Sequence, residues 1–253
     1  MMEDLVSVIM PVFNSSKTLA QSIDSILVQS YSNFEILIVD DFSVDDSWRI
    51  ISDYMKMDSR VIGIKLSKNV GAAQSRNIGI DKATGRFIAF LDADDYWLPN
   101  KLERQIEFAI KKKAAISHTS YKWIDSQGKE LSKIVVAKKE LTYNQMLDYN
   151  YIGCLTAIYD IKIIGGKRFM PDIRKRQDYG LWLRIMREGH KAYGLNEVLA
   201  FYRTGVKSLS SNKWDAARYN YKLLREVEGL STAKSTYHFL RYVFLAINKH
   251  FLS

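Results

Sequence analysis

Short apolar segments alternate with longer amphipathic segments from residue 5 to residue 91, and this alternation constrains the fold more than any other feature. Four continuous apolar runs predict buried strands: 5–13, 34–40, 61–66 and 86–91. Three intervening segments predict helices, the first with Ser15 or Ser16 as its cap: 15–30, 45–56 and 70–83. A repeated strand–helix order builds a parallel sheet with right-handed crossovers. The sequence therefore predicts an α/β fold with a mostly parallel central sheet.

The pattern becomes more mixed beyond Pro99, which opens a predicted helix. The remaining predicted elements are a hairpin of 114–125 and 130–138, a strand at 154–160, a helix at 177–189, a strand at 192–203 and a helical tail from 214 onward. No segment has the composition of a linker between domains. We therefore expect one globular unit over 1–213, followed by a helical extension over 214–253.

Charge is distributed unevenly along the chain. Residues 1–99 contain 9 Lys and Arg against 14 Asp and Glu, whereas residues 100–253 contain 28 against 14. The basic second part favours a phosphate-containing partner (nucleic acid, anionic lipid or a diphosphate) or is simply a solvated lysine-rich surface. The single Cys154 excludes a disulfide within the chain and suits a reducing compartment. We expect neither a signal peptide nor a membrane span.

Two groups of aspartates follow the second and fourth predicted strands: Asp40 and Asp41, then Asp92, Asp94 and Asp95. The carboxyl ends of parallel strands meet at one edge of a sheet, so both groups should lie at the same edge. Crowded carboxylates need a cation or hydrogen-bond donors to neutralise them. Two Asp separated by one residue suit a Mg²⁺ or Mn²⁺ held mainly by phosphate oxygens. The alternative is an Asp-rich turn that caps the helix near Pro99.

Two further segments contain candidate functional residues. Small residues at 71–73 begin the helix that contains Arg76, either because backbone approaches a ligand there or because the helix packs closely. Asp178 opens another predicted helix, as a general base or as an acid that complements the helix dipole. Neither a P-loop nor a G-x-G-x-x-G motif is present. The four histidines have no metal-ligand spacing and are interpreted as structural: His118, His190, His238 and His250.

These features occur together and in a familiar order. The chain resembles the family 2 glycosyltransferases of the GT-A fold, and more closely the bacterial members that extend O-antigen, capsule or teichuronic-acid repeat units. The matching segments are "VSVIMPVFN", "FEILIVDDFSVDDS", "NVGAAQSRNIGIDKATGRFIAFLDADDYW", "RQDYGLWLRI" and "LAFYRTGVKSLSSNK". The resemblance implies a Rossmann-like nucleotide-binding half at 1–99 and an acceptor half at 100–213.

The resemblance also implies roles for the matching residues of the first half. Pro11 and Phe13 match the loop that lines the base pocket, and Asp41 matches the carboxylate that accepts the uracil N–H. Asp92 matches the first Asp of the family's DXD motif, near the ribose. Asp94 matches the second Asp, which contacts the metal. Asp94 and Asp92 are therefore the expected metal-site residues, with Mn²⁺ or Mg²⁺ as the cofactor.

In the second half, Asp178 matches the catalytic base of the family's "ED" motif, although Gln177 replaces the usual Glu before it. Arg203 and the segment 208–211 match a loop that closes over the diphosphate. Arg76 is a further candidate for binding the nucleotide-sugar by charge. The Gln-x-x-Arg-Trp motif of processive synthases is absent, which implies transfer of one sugar per acceptor.

The reaction implied is a single inverting displacement from a UDP-sugar that forms a β-linkage. The acceptor implied is a saccharide on undecaprenyl diphosphate, so we expect a cytoplasmic protein that is peripheral on the inner membrane. The tail has a polar stripe of Lys234, His238, Arg241 and Lys249 and an apolar stripe of Tyr237, Leu240, Phe244, Ile247 and Phe251. This pattern is typical of an interfacial helix, and equally of a helix that packs on its own domain or on a second copy in a homodimer.

Three other functions remain open at this point. A sugar nucleotidyltransferase needs similar acidic residues, but "MPVFNSS" is not its Gly-rich basic loop. A non-catalytic module that binds a nucleotide-sugar or a lipid would not need Asp94 and Asp178. Nucleic-acid binding would need interleaved aromatic and basic residues on a sheet, so we expect no nucleic-acid partner.

Overall fold

The computed structural model describes residues 4–205 and 213–251. Its strands are β1 Val6–Val12, β2 Phe34–Asp40, β3 Val61–Lys65, β4 Phe87–Phe90, β5 Tyr96–Trp97, β6 Ile116–Ile124, β7 Glu130–Val135, β8 Glu140–Leu141, β9 Ile158–Asp160 and β10 Ala192–Arg203. Its helices are α1 Leu19–Leu27, α2 Ser47–Met57, α3 Ala72–Lys82, α4 Lys101–Lys112, α5 Tyr143–Asp148, α6 Ile161–Ile164, α7 Gln177–Arg187, α8 Lys213–Lys222 and α9 Thr232–Phe251.

The first four long strands form the parallel part of the sheet, in the order β3-β2-β1-β4. Their side chains point alternately to two apolar clusters, one on each face of the sheet. Ile9 and Leu37 face the cluster that contains α7, whereas Val8 and Ile38 face α1, α2 and α4. Because both faces are covered, the strands are apolar at nearly every position. This confirms the predicted α/β fold and its four N-terminal strands.

The sheet continues past β4 through strands of both directions. β9 runs antiparallel to β4 and to β6, and β10 then pairs in parallel with β6 over most of its length. The predicted hairpin is confirmed, since β7 pairs antiparallel with β6. The second half of the chain thus extends the sheet beside β4, and the end of β10 reaches the carboxyl edge, where Arg203 contacts Asp94 and Asp95. The boundaries proposed for the two halves and the tail stay predictions.

Two local predictions were wrong. The predicted strand at 154–160 begins instead with a 3₁₀ turn, Cys154–Thr156, in which the Thr156 hydroxyl donates to the Gly153 carbonyl at 2.7 Å. The first helix begins at Leu19, and neither Ser15 nor Ser16 caps it. Their backbone N–H groups instead donate to Ser47 at the start of α2 and to Asp45 in the loop before it. The segment before α1 is therefore held by contacts distant in sequence, which local patterns do not reveal.

The tail is helical, as predicted, but it is divided. After α8 the chain forms a π turn, Leu223–Val227, and α9 follows at Thr232. On α9, His238 and Arg241 contact the Asp148 carboxylate at 2.8 and 3.2 Å, so part of the predicted polar stripe faces the protein. Four apolar side chains of α9 are at least half exposed: Tyr237, Leu240, Phe244 and Ile247.

Among the described residues, no helix combines the length and the apolar character needed to cross a bilayer. The segment 208–211 and the side chains of Lys249 and Phe251 lie outside the part of the chain that is described.

Candidate active site

Both groups of aspartates lie at the carboxyl edge of the parallel strands. β1 is flanked by β2 and β4, and all three run in the same direction. The two residues after β2 and β4 continue this pairing, because Asp41 N donates to Val12 O and Leu91 N donates to Ile9 O. Asp41 and Asp92 therefore leave the sheet on either side of β1, as the strand order predicted.

Asp40 and Asp41 are not equivalent. Successive side chains of a strand point to opposite faces, and Asp40 is completely buried, with no hydrogen-bond partner for its carboxylate among the described residues. Asp41 instead accepts hydrogen bonds from Val70 N at 2.6 Å and from Gly71 N at 2.8 Å. The Asp41 carboxylate thus fixes the start of α3 against β2. Each of its oxygens retains a second lone pair for a ligand.

Pro11 lies within β1, not in the loop that the resemblance implied, whereas Phe13 begins the loop after β1, which is held against the loop after β2. Asn14 N donates to Ser43 Oγ at 3.0 Å, and Asn14 Oδ1 accepts from Val44 N at 2.9 Å. Asn14 has a positive φ of 49°. Pro11 is partly buried, whereas Phe13 is 51% exposed beside the site. The two loops lie side by side at the carboxyl edge of the sheet, next to Asp41.

Arg76 on α3 reaches the turn after β4, where its Nη2 forms an ion pair with Asp92 Oδ1. Burial alone would lower the pKa of the Arg76 guanidinium. The carboxylates of Asp92 and Asp178 outweigh that effect and raise the pKa above its ordinary value. Arg76 is therefore a permanently charged group. It lies between the turn of Asp92–Asp95, called the DXD turn below, and the start of α7.

The DXD turn itself is compact. Asp95 N donates to Asp92 O, and the Thr18 hydroxyl of the loop before α1 donates to Ala93 O at 2.8 Å. Burial and the neighbouring charge of Asp92 raise the pKa of Asp94 to about 6. Burial also raises the pKa of Asp95. This turn therefore holds more negative charge than its surroundings compensate.

Arg203, at the end of β10, lies beneath the same turn. Its backbone N donates to Asp95 Oδ1 and its Nε donates to Asp94 O, both at 2.8 Å. Its Nη2 donates to Gln21 Oε1 at 2.6 Å, and its Nη1 donates to two carbonyls of the β6–β7 turn. The structure thus shows Arg203 bonded to protein groups that position the turn. A contact between Arg203 and a diphosphate stays a prediction.

Asp178 occupies the first turn of α7. This helix packs its apolar face on the sheet, with the Trp182 ring 5.9 Å from that of Phe90. Burial raises the pKa of Asp178, while the backbone N–H of Tyr179 and the charges of Arg76 and Arg176 oppose that rise. A carboxylate with a raised pKa is a better proton acceptor for a hydroxyl than an ordinary one.

The sequence analysis missed two residues close to Asp178, the candidate base. Cys154, in the 3₁₀ turn, is near enough to Arg76, Asp92 and Asp178 for their charges to act on its thiol, whose pKa is raised by burial. Arg176 adopts a left-handed backbone conformation directly before α7. The basic run around Arg176 was visible in the sequence, but its left-handed backbone was not.

Residues 7–168 match the family described as glycosyl transferase family 2. The chain belongs to this family. As a family 2 glycosyltransferase, it is an enzyme, and the geometry above describes its candidate active site.

Curated relatives extend over almost the whole enzyme. It is 42% identical over 245 residues to a putative teichuronic acid biosynthesis glycosyltransferase, TuaG, of Bacillus subtilis. This match covers 97% of each chain. It is 36% identical over 247 residues to the Escherichia coli UDP-Glc:alpha-D-GlcNAc-diphosphoundecaprenol beta-1,3-glucosyltransferase WfgD, which covers 97% of this chain and 95% of the relative.

Solved structures show the same fold at low sequence identity. Staphylococcus aureus TarS 1–349 in complex with UDP-GlcNAc superposes with a TM-score of 0.72 and 19% identity, over 94% of this chain and 71% of that one. The mannosyltransferase PcManGT of Pyrobaculum calidifontis, in complex with GDP-Man and Mn²⁺, superposes with a TM-score of 0.64 and 16% identity. The match covers 90% of this chain and 65% of that one. This family 2 glycosyltransferase therefore has the GT-A fold.

Proposed function

We propose that this enzyme transfers one sugar from a UDP-sugar to a saccharide carried on a lipid diphosphate, with inversion, to form a β-linkage. The observation that carries the proposal is the position of Arg76, whose charge acts on both Asp92 of the DXD turn and Asp178. A donor bound at the turn and a hydroxyl bound at Asp178 would therefore meet in one cleft.

Pro11, Phe13 and Asp41 are the proposed contacts to the nucleotide base. The partly exposed Phe13 beside Asp41 offers an aromatic face for the base. Asp41 has lone pairs left for an N–H donor after binding two backbone groups. Asp92 is the proposed ribose contact. The relative WfgD is named for UDP-Glc, which makes UDP-glucose the first donor to test.

Asp94 and Asp92 fit a divalent cation by the chemistry of the donor set. Among the described residues, no group of three or more His, Cys, Asp or Glu side chains is arranged to hold a metal. Mg²⁺ and Mn²⁺ bound to phosphates need only one or two protein carboxylates, and burial and the charge of Asp92, which raise the pKa of Asp94, make its ionised form unfavourable without a cation. A bound cation would neutralise charge on the leaving diphosphate.

Asp178 is the proposed general base. It accepts the proton of the acceptor hydroxyl, whose oxygen attacks the anomeric carbon from the face opposite the nucleotide, so the bond to UDP breaks as the new glycosidic bond forms. Proton transfer of this kind is typically worth about 10²–10⁴-fold. Arg76 holds Asp92 in place and adds positive charge beside the diphosphate.

The deciding experiment is a donor screen with a synthetic GlcNAc-diphosphate-lipid acceptor, with the product linkage read by NMR. We expect a β-linked disaccharide, no transfer by Asp178→Asn, and metal-dependent hydrolysis of the donor that disappears in Asp94→Ala. An activated sugar formed from a nucleoside triphosphate would instead indicate a nucleotidyltransferase. Binding of the UDP-sugar with neither transfer nor hydrolysis would indicate a non-catalytic module.

The exposed apolar side chains of α9 support a peripheral position at the cytoplasmic surface of the inner membrane, where such an acceptor lies. Deleting the whole tail would also remove contacts with Asp148, so substitution is the sharper test. Leu240→Glu with Phe244→Glu should abolish sedimentation with phosphatidylglycerol–phosphatidylethanolamine vesicles. Ile134→Glu with Val136→Glu adds the same charge at exposed apolar positions outside α9 and should not. A wild-type dimer that ignores vesicles and is separated by the double substitution would contradict the membrane proposal.

A further inference from the structure

Arg176 has an unusual backbone for its residue type. It precedes α7 with φ 69° and ψ 22°, in the left-handed region that non-glycine residues rarely adopt. Such a conformation costs of the order of 1 kcal/mol and persists where surrounding contacts hold it, frequently at functional sites. In the sequence, Arg176 lies two residues before the proposed base, Asp178.

The Arg176 side chain is held by the C-terminal helix. Its Nη2 donates to Tyr242 Oη at 3.1 Å, and its guanidinium carbon lies 5.8 Å from the Tyr242 ring centroid. The Tyr242 ring in turn stacks on Tyr149, with 5.9 Å between centroids and 22° between planes. Arg176 and two aromatic rings from α9 and from the segment after α5 thus form one surface.

Arg176 differs from the neighbouring cations in what it binds. Arg76 pairs with Asp92, and Lys175 pairs with Asp215 at 3.0 Å. Arg176 has no carboxylate within ion-pair distance in the described parts of the chain, and its guanidinium is only half-buried. Its charge nevertheless acts on Asp178. A partly exposed arginine side chain beside the proposed base, fixed in place but not neutralised, is suited to bind an anionic substrate group.

We infer that Arg176, positioned by Tyr242 and flanked by Tyr149, binds the diphosphate of the acceptor. This inference rests on the proposed function and adds a subsite on the acceptor side. In an acceptor whose first sugar is linked to a diphosphate, the phosphate is one sugar ring away from the hydroxyl that reacts. A cation next to the base is therefore in the region that this phosphate must occupy.

The proposed contact can be removed from either side: the diphosphate can be left out of the acceptor, and the Arg176 side chain can be replaced in the enzyme. We would measure the binding of GlcNAc-diphosphate-undecyl and of undecyl GlcNAc by calorimetry, with UDP and Mn²⁺ present. Arg176→Gln should weaken binding of the diphosphate compound about 10- to 100-fold, the effect of losing a hydrogen bond between charged groups. Its binding of undecyl GlcNAc should be unchanged.

Two variants serve as controls. Tyr242→Phe keeps the ring but removes the hydroxyl that accepts from Arg176, so we expect a smaller loss with the same dependence on the diphosphate. Arg174→Gln removes an exposed charge from the same segment and should leave both affinities unchanged.

Equal weakening of both compounds by Arg176→Gln would overturn the inference, since it would indicate a structural role. Weaker binding of UDP alone would also overturn it, because Arg176 would then contact the donor. Wild-type enzyme that binds both compounds equally would overturn it too. Failure of the proposed function is separable, because it requires that wild-type enzyme neither transfers nor hydrolyses any UDP-sugar.

Discussion

Arg76 on α3 and Asp92 after β4 form an ion pair in which the Arg76 side chain is 9% exposed and the Asp92 side chain 34%. The pair joins two loops at the carboxyl edge of the sheet. Removing one partner of such a pair leaves the other charge partly buried without compensation, which costs more than an exposed pair contributes.

Arg76→Gln should therefore lower both stability and activity. We expect a loss of about 1–3 kcal/mol in the free energy of unfolding, reduced from the value for a fully buried pair because Asp92 is partly exposed. Urea unfolding followed by circular dichroism measures it. The matched control is Arg49→Gln, whose partner Asp46 is on the surface. Equal effects of the two substitutions would contradict the structural role given to Arg76.

Asp94→Asn should stabilise the metal-free protein while it removes function. The pKa of Asp94 is raised to about 6 from 3.8 by burial and by Asp92. The folded protein therefore binds this proton more tightly than the unfolded chain, and the charged carboxylate costs stability increasingly as the pH rises from about 4 to about 6. Above that range the cost is constant, so the variant should gain about 2–3 kcal/mol at pH 8 and little at pH 4.

Thermal unfolding at both pH values, with and without Mn²⁺ and UDP, tests this prediction. The ligands should raise the melting temperature of the wild-type protein and not that of Asp94→Asn. Asp46→Asn, at an exposed position, serves as the control. A variant that is less stable than wild type at pH 8 without ligands would show that Asp94 is a structural carboxylate.

The edge at which the aspartates meet could be predicted because strand order and hydrophobic periodicity determine it. The apolar runs ending before Asp40 and Asp92 indicated buried parallel strands, whose carboxyl ends share an edge. The sequence did not reveal that Asp40 is buried without a partner among the described residues while Asp41 binds backbone groups. Asp40 and Asp41 differ because neighbouring residues of a strand face opposite sides of the sheet, and the apolar pattern locates the end of a strand only approximately.

Contacts between distant segments could not be predicted. Arg203 N reaches Asp95 across 108 positions of sequence, and no local pattern marks either residue for the other. β5 and β8 have two residues each, too short for a periodicity to be detected. The left-handed backbone of Arg176 is likewise imposed by tertiary contacts, since Arg has no intrinsic preference for it.

Arg203 and Gln21 should behave as a coupled pair. Arg203 Nη2 donates to Gln21 Oε1, and the rest of the guanidinium is bonded to backbone carbonyls around the DXD turn. Arg203→Lys keeps the charge but loses the fork of donors, so we expect a loss of about 1–3 kcal/mol in unfolding free energy.

A double-mutant cycle with Gln21→Ala should give a coupling of about 1 kcal/mol by chemical denaturation. Asn144→Ala, at an exposed position on α5, should show no coupling to Arg203→Lys. Full retention of stability by Arg203→Lys would mean that charge alone matters at this position.

Lys101 on α4 is completely buried, and its ammonium has no hydrogen-bond partner among the described residues. Burial lowers the pKa of Lys101 well below 10.5, although the Trp97 ring, 3.6 Å from Nζ, favours the charged form in part. The unfolded chain therefore binds this proton more tightly. The free energy of unfolding is therefore highest above pH 10.5 and decreases as the pH falls from 10.5 to the lower pKa of Lys101 in the folded protein.

Lys101→Met removes the proton and keeps a side chain of similar length. We expect the variant to match wild type near pH 10.5 and to exceed its free energy of unfolding by about 1–3 kcal/mol at pH 7. Urea unfolding between pH 7 and pH 10.5 measures the difference. The control is Lys111→Met on the same helix, where the side chain is exposed and the difference should not depend on pH. A pH-independent difference for Lys101→Met would show that Lys101 stays protonated in the folded protein.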